Sequence, residues 1–268
     1  MAIRKEIQLT PVRNNVGIEI AYRKALRALL EEMHADIEKK LLAAWNEETD
    51  LVGFATDSSR SRIRAIRKTL MELIEKWTKP VDKEATSMAT TFAKAARAAT
   101  LNAMQASLKK VDWTLEFKPT EAAKEAYREV VAQNVSLIRS IPLEHMKGVE
   151  QDVWAGVMKG FDSFQIRKAL QARLGISDQR AVTISRDQTS KARAIFENQQ
   201  RVELGIEEAI WKHSFGGKHP RESHMKANNK RFKISEGMYL DGKWVWPGSE
   251  INCKCYSVSI IPALERKK

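Results

Sequence analysis

The chain has 268 residues, 43% apolar and 30% charged, a balance that excludes a disordered segment and allows one large domain or two smaller ones. Lysine and arginine outnumber aspartate and glutamate by 46 to 34, and the resulting +12 charge and pI near 9.7 favour an acidic partner, most often nucleic acid. No apolar run approaches the roughly 20 residues that cross a bilayer, and the first residues lack the apolar centre of a signal peptide.

Two cysteines one residue apart cannot build a disulfide framework, which fits a reducing compartment. The expectation is a chain made in a cytoplasm, without a membrane partner.

Residues 1–17 contain Pro11, Asn14, Asn15 and Gly17 and read as an extended N-terminal arm. A first helix is expected from Ile18 to about Glu48, because Ile18, Tyr22, Ala25, Leu29, Met33, Ile37, Leu41 and Trp45 advance by threes and fours. His34 falls beside that stripe and reads as a packed residue. Gly53 and Asp57-Ser58-Ser59 break the pattern, and a second helix carries Ile63, Ile66, Leu70, Leu73 and Trp77. Arg60, Arg62, Arg64, Arg67 and Lys68 make its opening turns the densest basic run of the chain, a candidate contact for DNA or an acidic protein surface.

Lys79-Pro80 stops that helix. An alanine-rich third helix follows at about 82–109, its small side chains suited to close helix packing. Trp113 to Phe117 alternates like a short strand or connector, and Pro119-Thr120 opens a helix to about Arg139. Ile141-Pro142 then predicts a break. Helices are expected at about 143–158 and 162–174, the latter capped by Asp162 or Ser163 and ended by Gly175. His145 reads as a surface residue. Ser177-Asp178 opens a last long helix to about Leu204, with Gly205 just past its end.

After Gly205 the pattern changes to short extended pieces. Ala209-Ile210-Trp211 reads as a strand and Gly216 to Pro220 as a loop. Asp241-Gly242 between Met238-Tyr239-Leu240 and Lys243-Trp244-Val245-Trp246 predicts a β-hairpin with a primed turn. Tyr256, Val258 and Ile260 alternate with Ser257 and Ser259, as in a half-buried final strand.

The fold class expected is therefore mainly α: an elongated multi-helix region at 18–204, a small α+β domain with a hairpin at 205–262, and a basic tail at 263–268.

Three chemical readings compete in the C-terminal stretch. Cys253 and Cys255 with His224, His219 or His213 supply enough soft ligands for zinc, although zinc-binding cysteines are usually two to four residues apart. His213, His219, His224, Asn228 and Asn229 also supply the residue types of a small metal-dependent nuclease, but no spacing fixes a general base. The third reading is structural, with Arg221 and His224 pairing across the fold and the cysteines buried as small apolar groups.

Trp211, a polar loop, Pro220-Arg221-x-x-His224, a hydrophobic hairpin, Pro247-Gly248, then Asn252-Cys253-Lys254-Cys255 form an ordered set. The set resembles the C-terminal domain of the phage Mu F-like minor head protein family, at Trp211, Arg221, His224, Pro247, Asn252, Cys253 and Cys255. The preceding helix, with Arg186 and Asn198, and the long helical region also resemble that family's layout. Two departures stand out. Some members carry Cys-x-x-Cys where this chain has Arg221 and His224, which leaves one ligand-capable residue there. Asn-Gly after the histidine is here Asn228-Asn229, a pair that still tolerates the left-handed turn.

The resemblance implies a phage minor capsid protein, non-enzymatic, that joins the head during assembly in the host cytoplasm and ends in the virion. Its implied partners are the portal protein and other head proteins, with double-stranded DNA as a further contact and no small-molecule substrate. The competing class is a metal-dependent nuclease or toxin-like effector carried in the particle.

Overall fold

The structure, a computed structural model, describes residues 6–46, 55–78, 81–113, 117, 120–217 and 219–262. Five long helices come first in it: α1 (Val16–Asn46), α2 (Ala55–Thr78), α3 (Val81–Lys109), α4 (Glu121–Lys159) and α5 (Ser163–Glu203). A short α6 (Glu222–Lys226) and the strands β1 (Glu6–Gln8), β2 (Glu208–Lys212), β3 (Arg231–Lys233), β4 (Met238–Leu240), β5 (Lys243–Val245) and β6 (Tyr256–Pro262) complete the described elements. The fold is mainly α with a small antiparallel β region at the C-terminal end, as the residue pattern predicts. Residues 114–116, the Gly53 break, Lys79-Pro80 and the basic tail lie outside the described residues.

The helix starts follow from local chemistry. Asn15 Oδ1 accepts the Ile18 amide at 3.2 Å and caps α1, and Thr120 Oγ1 accepts the Ala123 amide at 3.0 Å and caps α4. Asp162 and Gln165 exchange side-chain bonds with each other's amides at 2.7 and 2.9 Å, a capping box at the start of α5. Gly205, at φ +66°, lets the chain leave α5 while the Ile206 amide reaches back to the Arg201 carbonyl at 2.9 Å.

Two expected breaks are absent. Pro142 lies inside α4 and Gly175 inside α5, so the four helices expected over 120–204 are two. Pro142 is buried between Ile141 and the His145-Met146 pair, and packing holds the helix through the missing amide bond. Past Gly175, Ser177 meets the Nδ1 of His145 at 2.8 Å and Asp178 takes both ends of the Arg27 guanidinium. These ties keep the backbone helical where glycine alone would release it. They also correct the reading of His145, which is 1% exposed.

The chain divides into two compact units: 21–89 with 133–184, and 1–20 with 90–132 and 185–268. The first is all helical. Leu26, Leu30, Met33, Ile37 and Leu41 of α1, Ile66, Leu70 and Leu73 of α2, and Ile138, Val149 and Val153 of α4 are buried in it. Polar ties fix its helices: Asp36 accepts from Lys76 Nζ at 2.8 Å and Trp77 Nε1 at 2.9 Å, and Asp152 takes Arg173 bidentately at 2.8 and 2.9 Å.

The second unit holds a four-stranded antiparallel sheet in the order β1-β6-β2-β3, with β4-β5 as a separate hairpin. Asp241 and Gly242, at φ 51° and 82°, make the two-residue turn expected of Asp-Gly. β6 is not half-buried, because both faces of the sheet are covered. Val258 and Ile260 pack with Ile210 on one face, while Ser257 and Ser259, beside Trp211 and Ala209 on the other, are buried too. Ser257 Oγ meets the need for a partner by accepting from Arg201 Nη1 at 2.8 Å.

A candidate metal centre in the Cys-x-Cys loop

β2 carries Trp211 into the core, where its ring stands edge-on to Phe232 and to His224, the latter at 5.1 Å between centroids. His224 sits on α6, which follows Arg221 and is buried at 2% exposure. The loop from Pro247 to Cys255 then folds over it. His224 Nδ1 lies 3.5 Å from Cys253 Sγ and 3.7 Å from Cys255 Sγ. All three donor atoms fall within 4.8 Å of one another, the one such convergence among the described residues.

The imidazole is oriented from behind. Its Nε2 lies 2.9 Å from Glu250 Oε2, and a carboxylate only accepts, so Nε2 carries the proton and the Nδ1 lone pair faces the sulfurs. Glu250 also pairs with Lys243, and Arg221 Nη1 stands 4.0 Å away. Burial pulls the His224 pKa down, but the hydrogen bonds and charges of Cys253 and Glu250 outweigh it and the net direction is up. The hydrogen bond from Cys255 lowers Cys253, and that same bond, followed by burial, raises Cys255.

The loop is held by a polar stripe on α5 that sequence reasoning missed. Asp187 Oδ1 accepts the Asn252 amide at 2.9 Å, and Ser190 Oγ donates to the Cys253 carbonyl at 3.0 Å. Arg193 Nη2 donates to the carbonyls of Pro247 and Cys255, each at 3.1 Å, and its Nη1 pairs with Glu197 at 2.6 Å. Glu197 in turn pairs with the buried Arg201. The signal was present: Asp187, Ser190, Arg193, Glu197 and Arg201 recur by three or four on a helix face where apolar residues would be expected. Gly248 completes the loop at φ +92°, where an added Cβ would stand 2.4 Å from Arg193 Nη2. Asn252 and Asn229 take the left-handed conformation at φ 59° and 67°, as the Asn228-Asn229 pair allows.

The other sequence-named residues are scattered. Arg221 stands at the start of α6 without a side-chain capping bond and donates to the Ile251 carbonyl at 3.0 Å. His213 and His219 line a cavity of about 210 Å³ beside the cysteines but stand outside the cluster, and His213 Nδ1 is occupied by the Phe215 amide at 3.0 Å. Arg186 lies 4.0 Å from Glu19. Of the basic run on α2, Arg64, Arg67 and Lys68 are exposed and Arg62 is half-buried. Arg67 stands 5.8 Å from the Trp154 ring and Lys68 lies 4.0 Å from Glu72. The side chain of Arg60 lies outside the described residues.

Residues 147–258 match the model of the family described as Phage Mu protein F like protein, a segment that includes all of α5 and the whole loop. A protein of Haemophilus influenzae described as uncharacterized is 23% identical over 255 residues, covering 94% of this chain and 55% of its own length. The chain thus spans about half the length of that curated relative. No solved structure matches the chain with significance. No helix among the described residues is long and apolar enough to cross a membrane.

Proposed function

We propose that this chain is a minor head protein of a phage or prophage, docking on the portal or procapsid during assembly and remaining in the virion. The observation that carries this is the Mu F-like match over 147–258. The geometry supports it in two ways. The loop is clamped to α5 by buried charge-assisted bonds, which suits a rigid contact element. On the hairpin, Tyr239 and Trp244 face each other across the strands at 5.5 Å and remain 59% and 54% exposed, an aromatic pair of the kind that anchors interfaces.

The basic balance, with Arg64, Arg67 and Lys68 exposed on α2, suits an acidic portal surface or packaged double-stranded DNA. Co-expression with the portal protein of the same phage tests the docking. Co-purification at low salt that weakens steeply with added salt is expected, and Trp244→Ala should reduce it. Failure of any portal to co-purify at low salt would remove the proposal.

A further inference from the structure

We propose that His224, Cys253 and Cys255 bind one zinc-class ion through Nδ1 and the two sulfurs, leaving its fourth coordination position open to the adjoining cavity. Zinc bonds of roughly 2.3 Å to sulfur and 2.0–2.1 Å to nitrogen, at tetrahedral angles, hold sulfur and nitrogen about 3.6 Å apart. The two distances here are 3.5 and 3.7 Å. A hydrogen-bonded cluster explains them less well. With Cys255 donating to Cys253 and Cys253 to the single Nδ1 lone pair, the 3.7 Å contact between Nδ1 and Cys255 has no bond, whereas a cation uses both contacts.

The surroundings of the imidazole point the same way. Glu250 sets the tautomer, as carboxylates do behind metal-bound imidazoles. The cavity of about 210 Å³ includes His213, Ser214 and Arg221 in its lining and gives the fourth position room for a water or another small donor.

The test uses the full chain, purified under reducing conditions without added chelator. Elemental analysis should find one zinc per chain. Exchange for cobalt should give the tetrahedral visible bands and the near-ultraviolet charge-transfer band of thiolate ligation, and added azide should shift the visible bands by entering the open position. Cys253→Ser or Cys255→Ser should weaken the charge-transfer band, His213→Ala should leave it unchanged, and Glu250→Gln should keep it while weakening affinity roughly 10–100-fold. Cobalt spectra of the unsubstituted chain decide the matter even where a variant fails to fold. Absence of retained metal, with rapid alkylation of Cys253, would overturn the proposal in favour of a reactive thiol–imidazole pair. Cobalt bands that azide leaves unmoved would overturn the open position.

Discussion

Arg193 Nη2 stands 3.1 Å from the carbonyl oxygen of Cys255 and, at the same distance, from that of Pro247, so one guanidinium ties both ends of the loop to α5. Its other nitrogens reach Asn14 Oδ1 at 2.8 Å and Glu197 at 2.6 Å, and its side chain is 4% exposed. Removing it leaves two carbonyls unmet and Glu197 with Arg201 as its remaining buried cation.

Arg193→Ala should therefore cost about 3–5 kcal/mol of unfolding free energy, read by urea denaturation. Arg193→Lys should recover only a small part, because an ammonium cannot replace a planar fork that serves four acceptors. Full recovery by lysine would show that charge, and not the fork, holds the loop.

Gly248 and Gly242 separate close approach from backbone conformation. Both have positive φ, but a Cβ at Gly248 meets Arg193 Nη2 at 2.4 Å, whereas one at Gly242 meets nothing within 4 Å. Gly242→Ala should cost about 1–2 kcal/mol, the conformational part alone. Gly248→Ala should cost roughly 2–4 kcal/mol, since Arg193 must also move. Equal losses in thermal melts would count against the clamp.

In the helical unit, burial, then the neighbouring His34 and Arg173, hold His145 at about 4, below its ordinary 6.5, against the opposite pull of Asp152. A base depressed on folding takes up its proton more readily unfolded. Its contribution is intact above pH 6.5 and is lost as the pH falls toward about 4, amounting to about 3 kcal/mol in full. His145→Gln should flatten the decline of unfolding free energy across this window. His34, also depressed first by burial, leaves a residual slope. Parallel curves for the two chains would refute the assignment.

Gly175 is exposed, helical and free of neighbours within 4 Å. Gly175→Ala should raise stability by about 0.5–1 kcal/mol. A loss would mean that the helix bends there.

Much of this molecule was legible in its residues. Apolar spacing located the long helices, Asp241-Gly242 the hairpin, and Cys253, Cys255 and His224 the elements of the cluster. Pro142 and Gly175 misled because local propensity was overridden by burial and by the distant partners of Ser177 and Asp178, and no neighbouring residue signals those. Ser257 and Ser259 read as solvent-facing because alternation reports one covered face and cannot register a second. The α5 stripe went unread for a related reason: Ser190 meets the carbonyl of a residue 63 positions away, which periodicity along one helix does not reveal.

The role in head assembly is tested most directly by quantitative mass spectrometry of purified procapsids and mature particles. The chain should be present in both, at far fewer copies than the major capsid protein. Its absence from both, while it is plentiful in the producing cells, would contradict a place in the head.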